Sequence, residues 1–331
     1  MRIVFRTEGN HVQGMGDLVG SLALAAECAA QRDEILFVLS GGDEAIAAIK
    51  ERGYGLQVAD SLEAEQGILR SFRPDIVLVN QLNNDPAYIE SLKGVAGFVV
   101  TVDDAGEGAK KADLNINALY PIPGAITAPE YIALRREFQM KHEAARPIKA
   151  VVEELLITQG GSDTYGFTPR IIQALEKMAA RPHCTVVLGP AFRHDRELEE
   201  ALKASTLDLA IIRNVRNMAE VMWNADLAIT AGGLTMFELA CVGTPSLVVC
   251  GERFEVPTAT RLERSGTVVN LGFGGELDYD LVPKAVDRLA TDQENRSRMS
   301  VRGKELVDGR GCERIVRLIR ERVTTLGACR S

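Results

Sequence analysis

The stretch 224–245 reads NADLAITAGGLTMFELACVGTP, and 246–250 continue it as SLVVC. Leu227, Ala228, Ile229 and Thr230 form a short apolar run, as expected of a strand buried on both faces. Gly232 and Gly233 break it. Leu234, Phe237, Leu239, Ala240 and Cys241 then follow helical spacing, and Gly243 with Pro245 supplies the stop. The order is strand, glycine turn, helix, strand. Two glycines in such a turn let backbone N–H groups approach a ligand with no side chain in the way, and the helix start adds partial positive charge, so the turn favours phosphate. Glu238, about one turn into the helix, is placed to accept hydrogen bonds from both hydroxyls of a ribose. The same residues also fit a plainer reading, a tight turn followed by a surface carboxylate that complements the helix dipole.

Working outward, the first half alternates strands and helices. Strands are expected at 2–6, 35–39, 56–58, 75–79, 98–102 and 113–117. Helices are expected at 18–30, 43–52 (with Asp43 as N-cap), 61–72 (capped by Ser61) and 85–93. The alternation lapses over 120–148, where prolines 121, 123, 129 and 147 gather, and the interdomain connection is placed near Arg146-Pro147. It restarts with strands at 155–158, 185–188, 207–212, 227–230, 246–250 and 268–269. From Tyr279 the chain reads helical to about Arg320. The expectation is an α/β protein of two doubly wound, Rossmann-like domains, 1–147 and 148–331, with the terminal helices able to cross back. Glycine clusters at 14–16, 41–42, 160–161, 189 and 232–233 all fall at carboxyl ends of strands, where ligands of such sheets bind, so a cleft between the domains is the expected site.

The 331 residues suffice for about two domains of roughly 100–200 residues each. A net charge of −8 argues against a nucleic-acid or anionic-membrane surface. No run of about 18 apolar residues occurs, so no membrane span is expected. The opening residues lead straight into a strand, without the charged start, apolar run and cleavage site of a signal peptide. The six cysteines include no Cys-x-x-Cys pair, and four sit in apolar patterns, which fits a reducing, cytoplasmic setting. His11, His142, His183 and His194 lack metal-ligand spacing, so no protein-bound zinc is expected. Asp17, which opens the first helix, is either an N-cap or a general base. A helix start alone would hold its carboxyl low and make it a poor base unless burial opposes this. Asp103-Asp104 is either a divalent-metal pair or a capping loop. Glu252, Arg253 and Glu255 form either contacts to the non-nucleotide part of a ligand or a solvated loop.

With these motifs in hand, the chain resembles the nucleotide-sugar hydrolases of pseudaminic acid biosynthesis, which remove UDP from a diacetamido-trideoxy sugar, and their relatives among spore-coat polysaccharide proteins. It is more distantly similar to the peptidoglycan GlcNAc transferase that makes lipid II. The resemblance runs through nearly the whole chain in order. It includes Phe5-Arg6 with Gly14-x-Gly16, Val102-Asp-Asp104, Asp113-Leu-Asn-Ile-Asn117, Gly160-Gly-Ser-Asp163, Asn217-Met218-Ala219, Gly232-Gly233 with Glu238, and Gly243-Thr-Pro245. It implies a GT-B fold with UDP held mainly by the second domain and no metal or cofactor. On these positions the backbone around Val215 would meet the uracil, Glu238 the ribose, and Gly232, Gly233 and Thr235 the diphosphate, with Gly160, Gly161, Ser162 and Met218 also on the nucleotide side. Gly14, Gly16, Asn80, Phe254 and Glu255 would lie on the sugar or acceptor side.

The departures fall where the chemistry happens. The resembled family's water-activating His is Asp17 here, its following Arg is Gly20, its Asp-His pair is Asn80-Gln81, and its Asn-Gln pair is Phe254-Glu255. The implied function is cleavage of the anomeric bond of a UDP-sugar, hydrolase-like with Asp17 as base. Transfer to an acceptor hydroxyl and catalytically silent binding stand as alternatives. Nothing in the sequence sets the sugar, the acceptor or the oligomeric state.

Overall fold

Strand-forming runs that are apolar at almost every position can be satisfied only where both faces of a sheet are covered, and among the twelve strands of the described residues those at Ile76–Asn80, Phe98–Val102, Leu227–Thr230 and Ser246–Cys250 are buried throughout. A computed structural model describes every residue except Gln13, Asn214 and Ser331. It divides into two compact units. The first comprises Met1–Arg135 together with the residues from Gly309 on, and the second is Arg136–Asp308. The segment 136–147, assigned to the first half by its proline spacing, therefore packs within the second unit.

In the first unit, six strands, β1 (Arg2–Gly9), β2 (Glu34–Gly41), β3 (Gly55–Val58), β4 (Ile76–Asn80), β5 (Phe98–Val102) and β6 (Leu114–Ile116), form one sheet in the order β3-β2-β1-β4-β5-β6. Every pairing is parallel. Helices α1 (Gly16–Ala30), α2 (Asp43–Lys50), α3 (Leu62–Phe72) and α4 (Pro86–Lys93) make the crossovers. Ser61 caps α3 by accepting from Ala64 N, as its position predicts, whereas the cap of α2 is Gly42 and Asp43 is the first helical residue. Helix α13 (Gly311–Arg330) belongs to this unit, packs against α1 and continues well past Arg320.

The second unit repeats the plan. Strands β7 (Glu154–Thr158), β8 (His183–Leu188), β9 (Leu209–Arg213), β10 (Leu227–Thr230), β11 (Ser246–Cys250) and β12 (Val268–Phe273) pair in parallel in the order β12-β11-β10-β7-β8-β9. Its helices are α5 (Arg136–His142), α6 (Phe167–Leu175), α7 (Asp195–Ala204), α8 (Met218–Asn224), α9 (Leu234–Val242), α10 (Val256–Arg264), α11 (Leu281–Thr291) and α12 (Gln293–Leu306). Helix α7 was not anticipated. Its sequence is dominated by charge, and only Leu198 and Ala201 are buried. Helix α9 is the opposite case, with every residue from Met236 to Val242 buried, and it ends at Gly243 in the left-handed conformation at φ 75°. It is enclosed by α5, α8 and α12. No helix of the described residues is long and apolar enough to cross a membrane.

One buried ionic group ties the first unit together. Arg6 of β1 donates its Nε to Glu65 Oε2 of α3 at 2.8 Å, and Tyr88 of α4 donates its hydroxyl to Glu65 Oε1 at 2.6 Å. Glu65 is 3% exposed, so truncating it strands a guanidinium out of water. Glu65→Ala is therefore expected to destabilise the protein by about 3–5 kcal/mol, and Tyr88→Phe by about 1 kcal/mol. Urea denaturation of both variants checks this, and a Glu65→Ala midpoint equal to wild type would refute it.

Candidate functional site

In each sheet the order of connection reverses once, between β1 and β4 in the first unit and between β7 and β10 in the second. Crossovers leave those two neighbouring strands in opposite directions, and the loops beyond their carboxyl ends are where doubly wound sheets bind ligands. The motifs quoted above map onto these two places, and each is described within its own unit.

In the first unit, Thr7 of β1 lies in register with Asn80 of β4. Beyond β1 the chain folds back through paired backbone bonds between Asn10 and Gly14, with Gly14 at φ 87°, and enters α1 at Gly16. A Cβ on Gly16 would meet open space. Asp17 is not an N-cap. That position is Met15, and no side chain caps the helix. Asn80, expected on the sugar side, is buried and donates its amide nitrogen to the Asp17 carbonyl at 2.9 Å. It therefore positions the first turn of α1, and Gly20 leaves room for it, since a Cβ there would lie 3.1 Å from Asn80 Nδ2.

The Asp17 carboxyl accepts no hydrogen bond among the described residues. Burial, then the neighbouring charges of Glu8, Asp103 and Asp104, hold it well above the usual carboxylate range. The expected pull of the helix start is outweighed, which gives this carboxyl the basicity that a general base needs. Glu8 was missed because β1, which runs to Gly9, was read as ending at Arg6, three residues too soon. It accepts from Gln81 Nε2 at 3.3 Å.

Asp103 and Asp104 are loop fasteners. Asp103, at φ 52°, accepts from Leu119 N at 2.8 Å. Asp104 accepts from Gly106 N at 2.8 Å and from Asn84 N at 3.1 Å. Among the described residues, no group of three or more His, Cys, Asp or Glu is arranged to hold a metal ion.

In the second unit, Thr158 of β7 lies in register with Thr230 of β10. Their continuations, Gln159–Asp163 and Ala231–Gly233, are therefore neighbours. Gly160 takes φ 72°, and a Cβ on it would lie 3.8 Å from Thr235 Oγ1, so this glycine loop meets the head of α9. The Gly161 carbonyl accepts from Ala191 N at 2.9 Å. It also comes within 2.3 Å of where a Gly189 Cβ would stand, so no larger residue fits at 189. Ser162 shares a 3.0 Å hydroxyl contact with Thr164. Asp163 caps α6 by accepting from Phe167 N at 2.7 Å and Thr168 N at 2.9 Å. Gln159 is 6% exposed, and neither end of its amide has a partner among the described residues.

The doubled glycine divides its work. Gly232 is buried, and a Cβ there would lie 2.9 Å from Cys250 Sγ and from Glu255 Oε2. Its smallness makes room for protein, which corrects the expectation that it lies bare to a ligand. Gly233 is half-buried and is the uncapped N-cap of α9.

The Glu255 carboxyl fills the space against this turn. Its Oε2 accepts from Gly251 N at 2.8 Å and Glu252 N at 3.2 Å, and the Gly232 amide adds a third bond. Burial nevertheless outweighs these amides and pushes the carboxyl up to about 7. Glu238 is 5% exposed inside α9, so it is not the surface carboxylate of the plainer reading.

Val215 and Met218 lie beyond β9, two strands from the reversal, and Asn217 caps α8 by accepting from Glu220 N at 3.0 Å. Phe254 is exposed. Tyr165 stacks on Phe167 with ring centroids 5.8 Å apart, and both rings meet Phe273 edge-on, a cluster the sequence reading did not foresee. Its members are a loop residue, the first residue of a helix and the last residue of a strand, so no single periodicity joins them.

No family model matches the chain. It is 28% identical over 272 residues to the uncharacterized protein MJ1062 of Methanocaldococcus jannaschii, which covers 75% of this chain but 55% of that protein, so the chain spans about half of that relative's length. It is 24% identical over 338 aligned residues to the spore coat polysaccharide biosynthesis protein SpsG of Bacillus subtilis, covering 97% of this chain and 98% of that one. Among solved structures, MurG of Acinetobacter baumannii superposes with TM-score 0.66 at 14% identity over 97% of this chain and 99% of that one. UDP-GlcNAc 2-epimerase from Neisseria meningitidis, bound to UDP-GlcNAc, gives TM-score 0.65 at 12% identity over 97% and 100%. Anabaena HepE, in complex with UDP-glucose, gives TM-score 0.60 at 12% identity over 99% and 100%. The chain is thus homologous to a polysaccharide biosynthesis protein along its whole length, and its fold is the α/β GT-B fold.

Proposed function

We propose that this protein is an enzyme of surface-polysaccharide biosynthesis that breaks the anomeric C–O bond of a UDP-sugar and releases UDP. The observation that carries the reading is Asp17, a half-buried residue at the strand-order reversal of the first unit, whose carboxyl accepts no hydrogen bond among the described residues and is held well above its usual range. A carboxyl used only to cap a helix or fasten a loop accepts backbone N–H bonds, as Asp85, Asp104 and Asp163 do. Homology to a polysaccharide biosynthesis protein, and the UDP-sugars bound by proteins of the same fold, support the substrate class.

In the proposed reaction Asp17 takes the proton of a water molecule as its oxygen attacks the anomeric carbon. The bond to the diphosphate breaks, and UDP leaves with the electron pair. The N–H groups that open α9, from Gly233 onward, receive the leaving charge together with the neighbouring Gly160 loop. Glu238 holds the ribose. The step as written calls on no metal or cofactor.

Incubating the protein with a panel of UDP-sugars and measuring UDP tests this directly. Release without an acceptor supports hydrolysis. Release only with an acceptor hydroxyl assigns transfer instead, with Asp17 still the base. Bound UDP with no release from any sugar overturns the catalytic reading and leaves a binding protein.

Asp17→Asn is expected to lower the rate by about 10²–10⁴-fold, the usual worth of a general base. Full activity in that variant would show that Asp17 is not the base. Glu238→Ala is expected to weaken UDP binding by about 1–3 kcal/mol, the scale of a lost charged hydrogen-bond partner. An unchanged affinity by calorimetry would remove Glu238 from the ribose site.

A further inference from the structure

The head of α9 already holds an anion, and the protein supplies it. The Glu255 carboxyl sits where three backbone amides converge, those of Gly232, Gly251 and Glu252. Its Oε1 lies 3.3 Å from where a Cβ on Gly233, the N-cap of α9, would stand. We propose that Glu255 gates the nucleotide site, its ionised carboxylate opposing a diphosphate at the start of α9 and its protonated form admitting one. This rests on the nucleotide reading given above and adds its regulation.

The physical argument is competition for one partial positive charge. A helix start offers about half a unit of charge. A diphosphate placed on the amides from Gly233 onward would lie within a few ångströms of Glu255, in surroundings where burial weakens screening by water. Two anions cannot share that place cheaply, so one takes a proton. The carboxyl is the group able to do so, since its titration already stands at about 7.

The groups facing it from the adjoining elements do not relieve it. Glu252 adds a like charge. Cys250, at the end of β11, stays a neutral thiol, its titration pushed up to about 12 by burial and by Glu255 itself. Arg253 is turned onto the Phe273 ring, 4.9 Å from its centroid, and pairs with Glu276.

Binding and proton uptake are then linked, and affinity changes by up to about tenfold per pH unit for one coupled proton. Calorimetry with UDP between pH 6 and 8.5, run in two buffers of different ionisation enthalpy, measures both. Wild type is expected to lose affinity above pH 7 and to take up close to one proton per UDP at pH 8, beyond what Glu255→Gln shows under the same conditions. Subtracting that variant removes the titration of UDP itself. UDP binding with the same pH dependence and proton count in both proteins would overturn the gate while leaving the nucleotide reading intact. Failure of both proteins to bind UDP at any pH would overturn both. Should Glu255→Gln not fold, Glu252→Gln carries the test. Removing that like charge is expected to lower the pH at which affinity falls, and an unmoved midpoint would overturn the proposal.

Discussion

Each sheet of this protein reverses its order of growth once, between two adjacent central strands, and the candidate chemistry follows from that constraint. A parallel sheet needs a crossover after every strand, and the crossovers of β1 and β4, or of β7 and β10, depart to opposite sides. The loops beyond those four strands therefore face no neighbouring crossover of their own kind. Asp17, Asn80, the Gly160 loop and the Gly232 turn all sit there. The apolar runs that build the strands and the polar residues that follow them are thus two consequences of one arrangement. The runs must be buried on both faces, and the backbone beyond them must find partners outside the sheet.

Buried carboxyls in this structure meet two different fates, and the difference separates scaffold from candidate chemistry. Asp104, Asp163 and Asp226 each receive two or more backbone N–H groups, and each ties a loop to a neighbouring strand or helix start. Asp17, half-buried, receives none among the described residues and has three acidic neighbours. Glu255 receives three, yet burial still raises it to about 7. A protein gains nothing in stability from carboxyls kept in such places, because their ionisation opposes folding. Perturbed groups of this kind collect at functional sites, and these two lie at the strand-order reversals of their respective units.

Much of the architecture was legible because continuous apolar runs bounded by glycine leave few alternatives. Strands β5, β10 and β11 lie where the residues placed them. Helix α7 was passed over because charge dominates its composition, although Leu198, Ala201 and Leu202 stand at helical spacing and the first two are buried. The second unit begins at Arg136 because α5 packs against α8 and α9, a tertiary contact that proline spacing cannot report. At the candidate sites the sequence shows residue types but not environments. Asp17 was equally readable as a cap, and only the position of Met15 and the nearness of Glu8, Asp103 and Asp104 separate the readings. Gly232 was read as a gap left for a ligand, and it is a gap left for Glu255, a residue 23 positions further along the chain.

The two perturbed carboxyls make opposite demands on pH. Asp17 can accept a proton only when ionised, so the acid side of a rate profile should rise as it deprotonates. Its elevation by burial and neighbouring acids moves that rise above the usual carboxylate range. Glu255 is proposed to admit the diphosphate only when protonated, so the alkaline side should fall as it ionises, near 7. Under these roles kcat/KM for a cleaved UDP-sugar is bell-shaped, since it reports the essential acid and base of the free enzyme. Glu255→Gln should flatten the alkaline limb and leave the acid limb in place, because its amide cannot ionise while Asp17 is untouched. At saturating substrate the alkaline limb should weaken in the wild type as well, because the gate acts on binding and a bound diphosphate holds Glu255 protonated. An alkaline limb of equal steepness in kcat and kcat/KM would place that ionisation in the chemical step and so argue against a gate.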